Sequence, residues 1–237
     1  MKKLLCILCT LVLVLSSCTV TQNIFINAEG GGTYSADVSV SKDFADYLSE
    51  LASVSMDPSE EFVLFKTEDI RRDLEEEGNG VTVTKLKALD ENILHIELDY
   101  RSIETLVTTD EARAAGIIRF EKRSDGTKTV RIHLDRQNYN QLNSLFSEEQ
   151  SIVMDTFGPE ENEGLTEEEY LQMMSFALGE DGPDLIRASV IETRIHVAGR
   201  VLEQKGGVRE GDTVIFRIPL IRILLLDQEL DYTLTFR

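Results

Sequence analysis

Three histidines, His95, His133 and His196, are the side chains best suited to proton transfer or metal ligation in this sequence. Each falls on the polar side of a segment that alternates apolar and polar residues. Residues two apart on a strand point the same way, so His95 shares a face with Glu97, and His133 with Asp135. A zinc or iron site would need these strands to be neighbours. No HExxH or HxH spacing and no cysteine partner sets ligands at metal spacing, so the expectation is three solvated histidines, with no metal and no cofactor. There is no Gly-x-Ser-x-Gly elbow. Gly30-Gly31-Gly32 lacks the helix start and the Lys-Ser/Thr of a phosphate cradle and reads as a hairpin turn. The acidic runs Glu75-Glu76-Glu77 and Glu160-Glu161 stand beside breakers and read as solvated, unlike a buried acid/base pair. Catalytic residues are therefore expected to be none, and the chain is not expected to be an enzyme.

One cysteine does carry chemistry. Met1-Lys2-Lys3 is a charged start, and Leu4 to Leu15 is apolar except for Thr10. Leu15-Ser16-Ser17-Cys18 follows. Charge, a short apolar run, small residues and then a cysteine read as an export signal with a lipid-attachment site. The pattern resembles the lipobox of bacterial lipoproteins. That resemblance implies a diacylglyceryl group on the Cys18 sulfur, removal of residues 1–17, and Cys18 as the mature N-terminus. The apolar run is well short of the roughly 20 residues that span a bilayer. Two or more acyl chains make a stable anchor where one is marginal. Thr19, standing where an Asp would favour the inner membrane in that family, implies the outer membrane of a two-membrane cell. Otherwise the outer face of the cell membrane is implied. Cys6 and Cys9 leave with the signal, so no thiol is left for a disulfide, a metal or a nucleophile.

The net charge of −19 becomes −21 once Lys2 and Lys3 are removed, with 22 basic against 43 acidic residues. So acidic a surface excludes nucleic acid as a partner and argues against electrostatic adhesion to anionic lipid. The membrane link is expected to run through the acyl chains on Cys18.

The remaining residues, 18–237, read as one α+β domain with a sub-boundary in the acidic loop near 158–165. Val20–Asn27 and Thr33–Ser41 form a hairpin around the glycine turn, and Phe44, Tyr47, Leu48, Leu51 and Val54 then recur at helical spacing. Thr67-Glu68-Asp69 opens a short helix carrying Ile70 and Leu74. Hairpins follow at 81–89 with 92–100 and at 117–123 with 127–134, the second across Ser124-Asp125-Gly126. Their returning strands run on to Ile103 and Leu106, and to Tyr139 and Leu142, at equal spacing. A strand–strand–helix unit used three times fits this pattern, either as duplication or by chance. Thr166 and Glu169 form a capping box for a helix that stops at Gly179. The final third alternates as strands at 191–197, 214–218 and 230–236. The predicted architecture is antiparallel hairpins forming a sheet, with helices packed mainly on one face.

Two apolar features have a functional reading. Tyr170, Met173, Met174, Phe176 and Leu178 cover much of one helix, and Pro219–Leu226 (PLIRILLL) is interrupted only by Arg222. Both read first as core. The alternatives are a groove for an acyl chain or other hydrophobic ligand, and a contact surface for an envelope protein or the bilayer.

Val197-Ala198-Gly199-Arg200-Val201, Gly206-Gly207 and Gly211–Phe216 are similar to the closing strands of LppM-type bacterial lipoproteins. The order of lipobox, strand, hairpin and helix looks like them too. Ala198 stands where that family often has proline, Phe216 where it often has tryptophan, and residues 147–165 form an acidic insert. The resemblance implies an α+β envelope domain with affinity for lipids or glycolipids, and supplies no catalytic residues. The expected function is a lipid-anchored, non-enzymatic envelope lipoprotein that binds a lipid-like ligand. The alternatives are a structural or assembly lipoprotein that binds another envelope protein and, last, a hydrolase.

Overall fold

The computed structural model describes residues 19–55, 62–75, 80–104, 116–143 and 157–237. The expected export signal, Leu15-Ser16-Ser17 and Cys18 lie outside the described residues, as does Leu106. The fold is α+β, as the alternation and capping signals predict.

The strands divide between two sheets. The larger contains β1 (Thr19–Ile26), β2 (Gly32–Ser39), β3 (Val81–Asp90), β4 (Ile93–Tyr100), β7 (Val190–Val197), β9 (Val208–Glu210) and β10 (Thr213–Pro219), in the order β3-β4-β2-β1-β7-β10-β9. The smaller contains β5 (Ile118–Lys122), β6 (Lys128–Leu134), β8 (Val201–Lys205) and β11 (Leu230–Phe236), in the order β5-β6-β11-β8. Every pairing is antiparallel except β1 with β7, which run in parallel from Thr19↔Val190 to Ile26↔Val197.

Helices α1 (Lys42–Ser55), α2 (Thr67–Leu74), α3 (Arg136–Asn143), α4 (Glu167–Leu178), α5 (Gly182–Ala188) and α6 (Leu220–Leu225) complete the described elements. The first and third hairpins run into α1 and α3, while the second runs into Ile103 and Glu104, after which the chain leaves the described residues. Ser41 caps α1, its hydroxyl accepting from the Phe44 amide at 3.2 Å. Beside the edge strand β3, Arg71 of α2 donates to the Val83 carbonyl (3.2 Å) and Glu75, just after the helix, accepts from the Val83 amide (3.0 Å). These bonds occupy edge groups that would otherwise template another strand.

There are two hydrophobic cores. The larger joins the two sheets, with Val20, Ile26, Ala36, Ile96 and Ile195 from one and Val130, Leu134, Leu234 and Phe236 from the other. The smaller is helical and gathers Phe44, Tyr170, Leu171, Met174, Ile186, Leu220 and Leu224. Helix α6 lies between them. Leu220, Ile221, Leu224 and Leu225 face the helical core, and Ile223 and the following Leu226 face the other. A helix serving two cores keeps little solvent side, which is why PLIRILLL is apolar except at the partly exposed Arg222.

The helical core sits at one end of the larger sheet. Thr19 opens β1 and pairs with Ser39, two residues before Ser41 and α1. It also pairs with Val190, which follows α5, and Val190 pairs with Pro219, which leads into α6. The chain thus enters or leaves the helices three times beside Thr19. At the opposite end lies the β1–β2 turn. There the Asn27 side chain accepts from the amides of Glu29, Gly30 and Gly31 at 2.9–3.0 Å. Gly30 has φ +100°, and a Cβ on Gly32 would collide with the Phe25 carbonyl at 1.7 Å. The missing side chain lets the Tyr100 hydroxyl reach that carbonyl at 2.7 Å. The Lys128 ammonium of the smaller sheet donates to the Ala28 carbonyl, so both sheets meet at this end.

Candidate functional site

The sequence-selected residues fall into separate places. Tyr170 and Met174 are buried in the helical core, and Leu178 is half-buried against it. Met173 and Phe176 point outward, Phe176 being 85 % exposed. The five do not form one surface. Helix α4 itself opens as predicted: the Glu169 amide donates to Thr166 Oγ1 at 3.3 Å, and the Thr166 amide donates to Glu169 at 2.9 Å.

Each histidine is held by neighbours set by strand register. His95 pairs with Asp37 across β4 and β2. Its Nδ1 is 2.7 Å from Asp37 and its Nε2 is 2.7 Å from Glu97, which also accepts from Lys85 at 2.9 Å. Hydrogen bonds to Asp37 first, and then to Glu97, raise the His95 pKa above its ordinary value. Carboxylates at both nitrogens favour the protonated ring, which in that form has no free lone pair for a metal or a substrate proton. His133 lies on the smaller sheet, 3.1 Å from Asp135, with Nδ1 3.8 Å from Asp231. Asp231 accepts from Arg131 and Lys205 at 2.7 Å each, and these bonds hold its carboxyl down at about 2. Among the described residues no three His, Cys, Asp or Glu side chains are placed to hold one ion.

Ser39-Val40-Ser41-Lys42 matches a serine–lysine spacing in sequence. Ser39, however, closes β2 and Lys42 opens α1, so the pair is not one helical turn apart, as that nucleophile–base arrangement requires.

His196 belongs to a surface that no sequence motif marks. It stacks on Phe25 across the β1–β7 pair, with ring centroids 5.5 Å apart and 21° between planes. Its Nδ1 is 3.0 Å from Thr213 Oγ1 on β10. Around this stack lies a groove of about 360 Å³ on the open face of the larger sheet. Asn23, Thr33, Ser35, Arg194, Glu210 and Ile215 also line it. Asn23 donates to Ser35 at 3.5 Å. Beside the groove, Glu192 bridges Arg217 and Arg194 at 2.6 Å each, and those bonds, Arg217 first, lower its pKa. The groove offers one flat aromatic patch ringed by amide, hydroxyl, guanidinium and carboxylate groups. Such a surface can offer stacking and hydrogen bonds to a small polar molecule. The legible signal was phase: Val20, Gln22, Ile24 and Ile26 face inward, leaving Phe25 as an aromatic on the outward side.

No family model matches the chain, and no curated protein matches it. Among solved structures, the NMR structure of the folded domain of Mycobacterium tuberculosis LppM aligns over 94 % of this chain and 91 % of that one. The TM-score is 0.44 and the identity 8 %. No helix among the described residues is long and apolar enough to cross a membrane.

Proposed function

We propose that this chain is a lipid-anchored, non-enzymatic binding protein of the bacterial cell envelope, held through Cys18 and displaying the Phe25–His196 groove to a small ligand. The observation that carries the reading is the position of Thr19. It is the first residue of β1, a strand paired on both sides, and it follows Cys18 directly. An acylated Cys18 is therefore joined to a rigid strand with no tether between. Phe25 is six residues further along the same strand, about 20 Å away at the usual rise. Anchor and groove thus occupy opposite ends of β1. The groove is polar at its rim and flat at its centre, which suits a ligand with one apolar face and several hydrogen-bonding groups. Its histidine stacks on Phe25 and bonds the Thr213 hydroxyl, and among the described residues no carboxylate bonds the ring to orient it as a base.

The anchor is tested by intact-mass measurement of protein extracted from membranes. Loss of residues 1–17 with added acyl mass is expected, and Cys18→Ser should leave the protein unacylated and release it from tight membrane association. An unchanged mass with unchanged membrane retention overturns the reading. The groove is tested by native mass spectrometry of the form beginning at Thr19, purified from the producing cells. A co-purified small molecule that disappears in Phe25→Ala is expected; a bare mass, or an adduct indifferent to Phe25→Ala, removes the groove from the account.

A further inference from the structure

We infer that the helical end of the molecule rests on the lipid bilayer, with Phe176 and Met173 of α4 and Leu89 of the β3–β4 hairpin entering the head-group layer. The inference builds on the anchored reading above and adds an orientation and a second, non-covalent membrane contact.

Topology places the contact. Thr19, bonded to Cys18, lies where α1, α5 and α6 join the larger sheet. The α4 helix packs on α5, α6 and α1 within that same layer. The β3–β4 tip belongs to this end too, because Ile93 pairs with Ser39, which pairs with Thr19. An acyl group on the residue before Thr19 therefore brings this end against lipid.

The side chains found there fit that position. Phe176 is 85 % exposed, Leu89 60 % and Met173 39 %. Val63, also exposed, stands next to Leu64, which packs on the helical core. Large apolar side chains left in water at the anchored end lose that exposure on entering a leaflet. Charge gives no help. Glu167, Glu168, Glu169, Glu180, Asp181 and Asp184 lie on or between α4 and α5, and Asp90 and Glu91 form the hairpin tip. The occupant is thus the apolar and zwitterionic part of a bilayer, and anionic head groups weaken the contact.

The sequence has no tryptophan, so one introduced tryptophan reports its own surroundings. Full-length Phe176→Trp protein is purified from membranes and placed in phosphatidylcholine vesicles, with or without brominated acyl chains. Leu202→Trp is the comparison. Leu202 is exposed and follows Val201, whose partner Phe236 pairs with Lys128, the residue that reaches Ala28 at the far end. The expected result is a blue-shifted Phe176→Trp emission that loses most of its intensity to brominated lipid and loses less when phosphatidylglycerol is added. Leu202→Trp should emit as in water and keep its intensity. Equal behaviour at the two positions in acylated protein overturns the orientation while leaving the anchor standing. A mass without acyl chains in the same sample overturns both.

Discussion

At the scale of single residues, two titratable groups bound the pH range over which the fold is best supported. Asp231 is held at about 2 against an ordinary 3.8, chiefly by Arg131 and then Lys205. Its folded value lies below its unfolded value, so the support is complete above the unfolded value and is lost as the pH falls from about 4 to about 2. Asp231→Asn should cost about 1–2 kcal/mol near neutral pH, a figure reduced for the exposure of both partners, and almost nothing near pH 2. Urea denaturation at the two pH values checks this. His95 works in the opposite sense. Its pKa is raised above 6.5 by Asp37 and Glu97, so its support is complete below 6.5 and fades as the pH rises through the folded value. The stability difference between the natural protein and His95→Gln should shrink on going from mildly acidic to alkaline pH; a constant difference refutes it. Half of each cluster was legible beforehand. Glu97 and Asp135 follow from the two-residue repeat of a strand, whereas Asp37 and Asp231 arrive through pairing registers that no local pattern specifies.

At the scale of elements, local chemistry predicted well. The Thr166–Glu169 box starts α4 where the spacing says, and Thr166→Ala should lower thermal stability by about 1 kcal/mol with the sheet signal in circular dichroism unchanged. The hairpins at β1–β2, β3–β4 and β5–β6 all form across the turns that Gly, Asp and Asn mark. What stayed hidden was partition. The seven apolar residues of α4 wrap the helix too evenly to show which side is covered, and the packing of α1, α5 and α6 separates buried Tyr170, Leu171 and Met174 from outward Met173 and Phe176. For the same reason the division of hairpins between two sheets was not legible: alternation shows that one face is buried, not which sheet buries it. The acidic loop also gains a meaning that composition lacks. Asn162 is buried and donates to the carbonyls of Phe157 and Gly158 at 2.8 Å, which ties the loop to the helical core.

At the scale of the whole molecule, the two sides of that loop depend on each other. β1 is flanked by β2 from its own half and by β7 from the other, and β6 is covered by β11. Residues 19–157 and 158–237 made as separate chains should each lack a cooperative unfolding transition, because each would expose a bare strand edge and half of the larger core. A cooperative transition in either piece refutes this interdependence. The parallel pairing of β1 with β7 has one more consequence. Thr19 must wait for Val190, about 170 residues later, before its second neighbour exists. During synthesis the first strand stays sticky, able to capture the same strand of another copy. Completion is necessarily late and slow, and the last quarter of the chain decides whether the first becomes a native sheet or an aggregate.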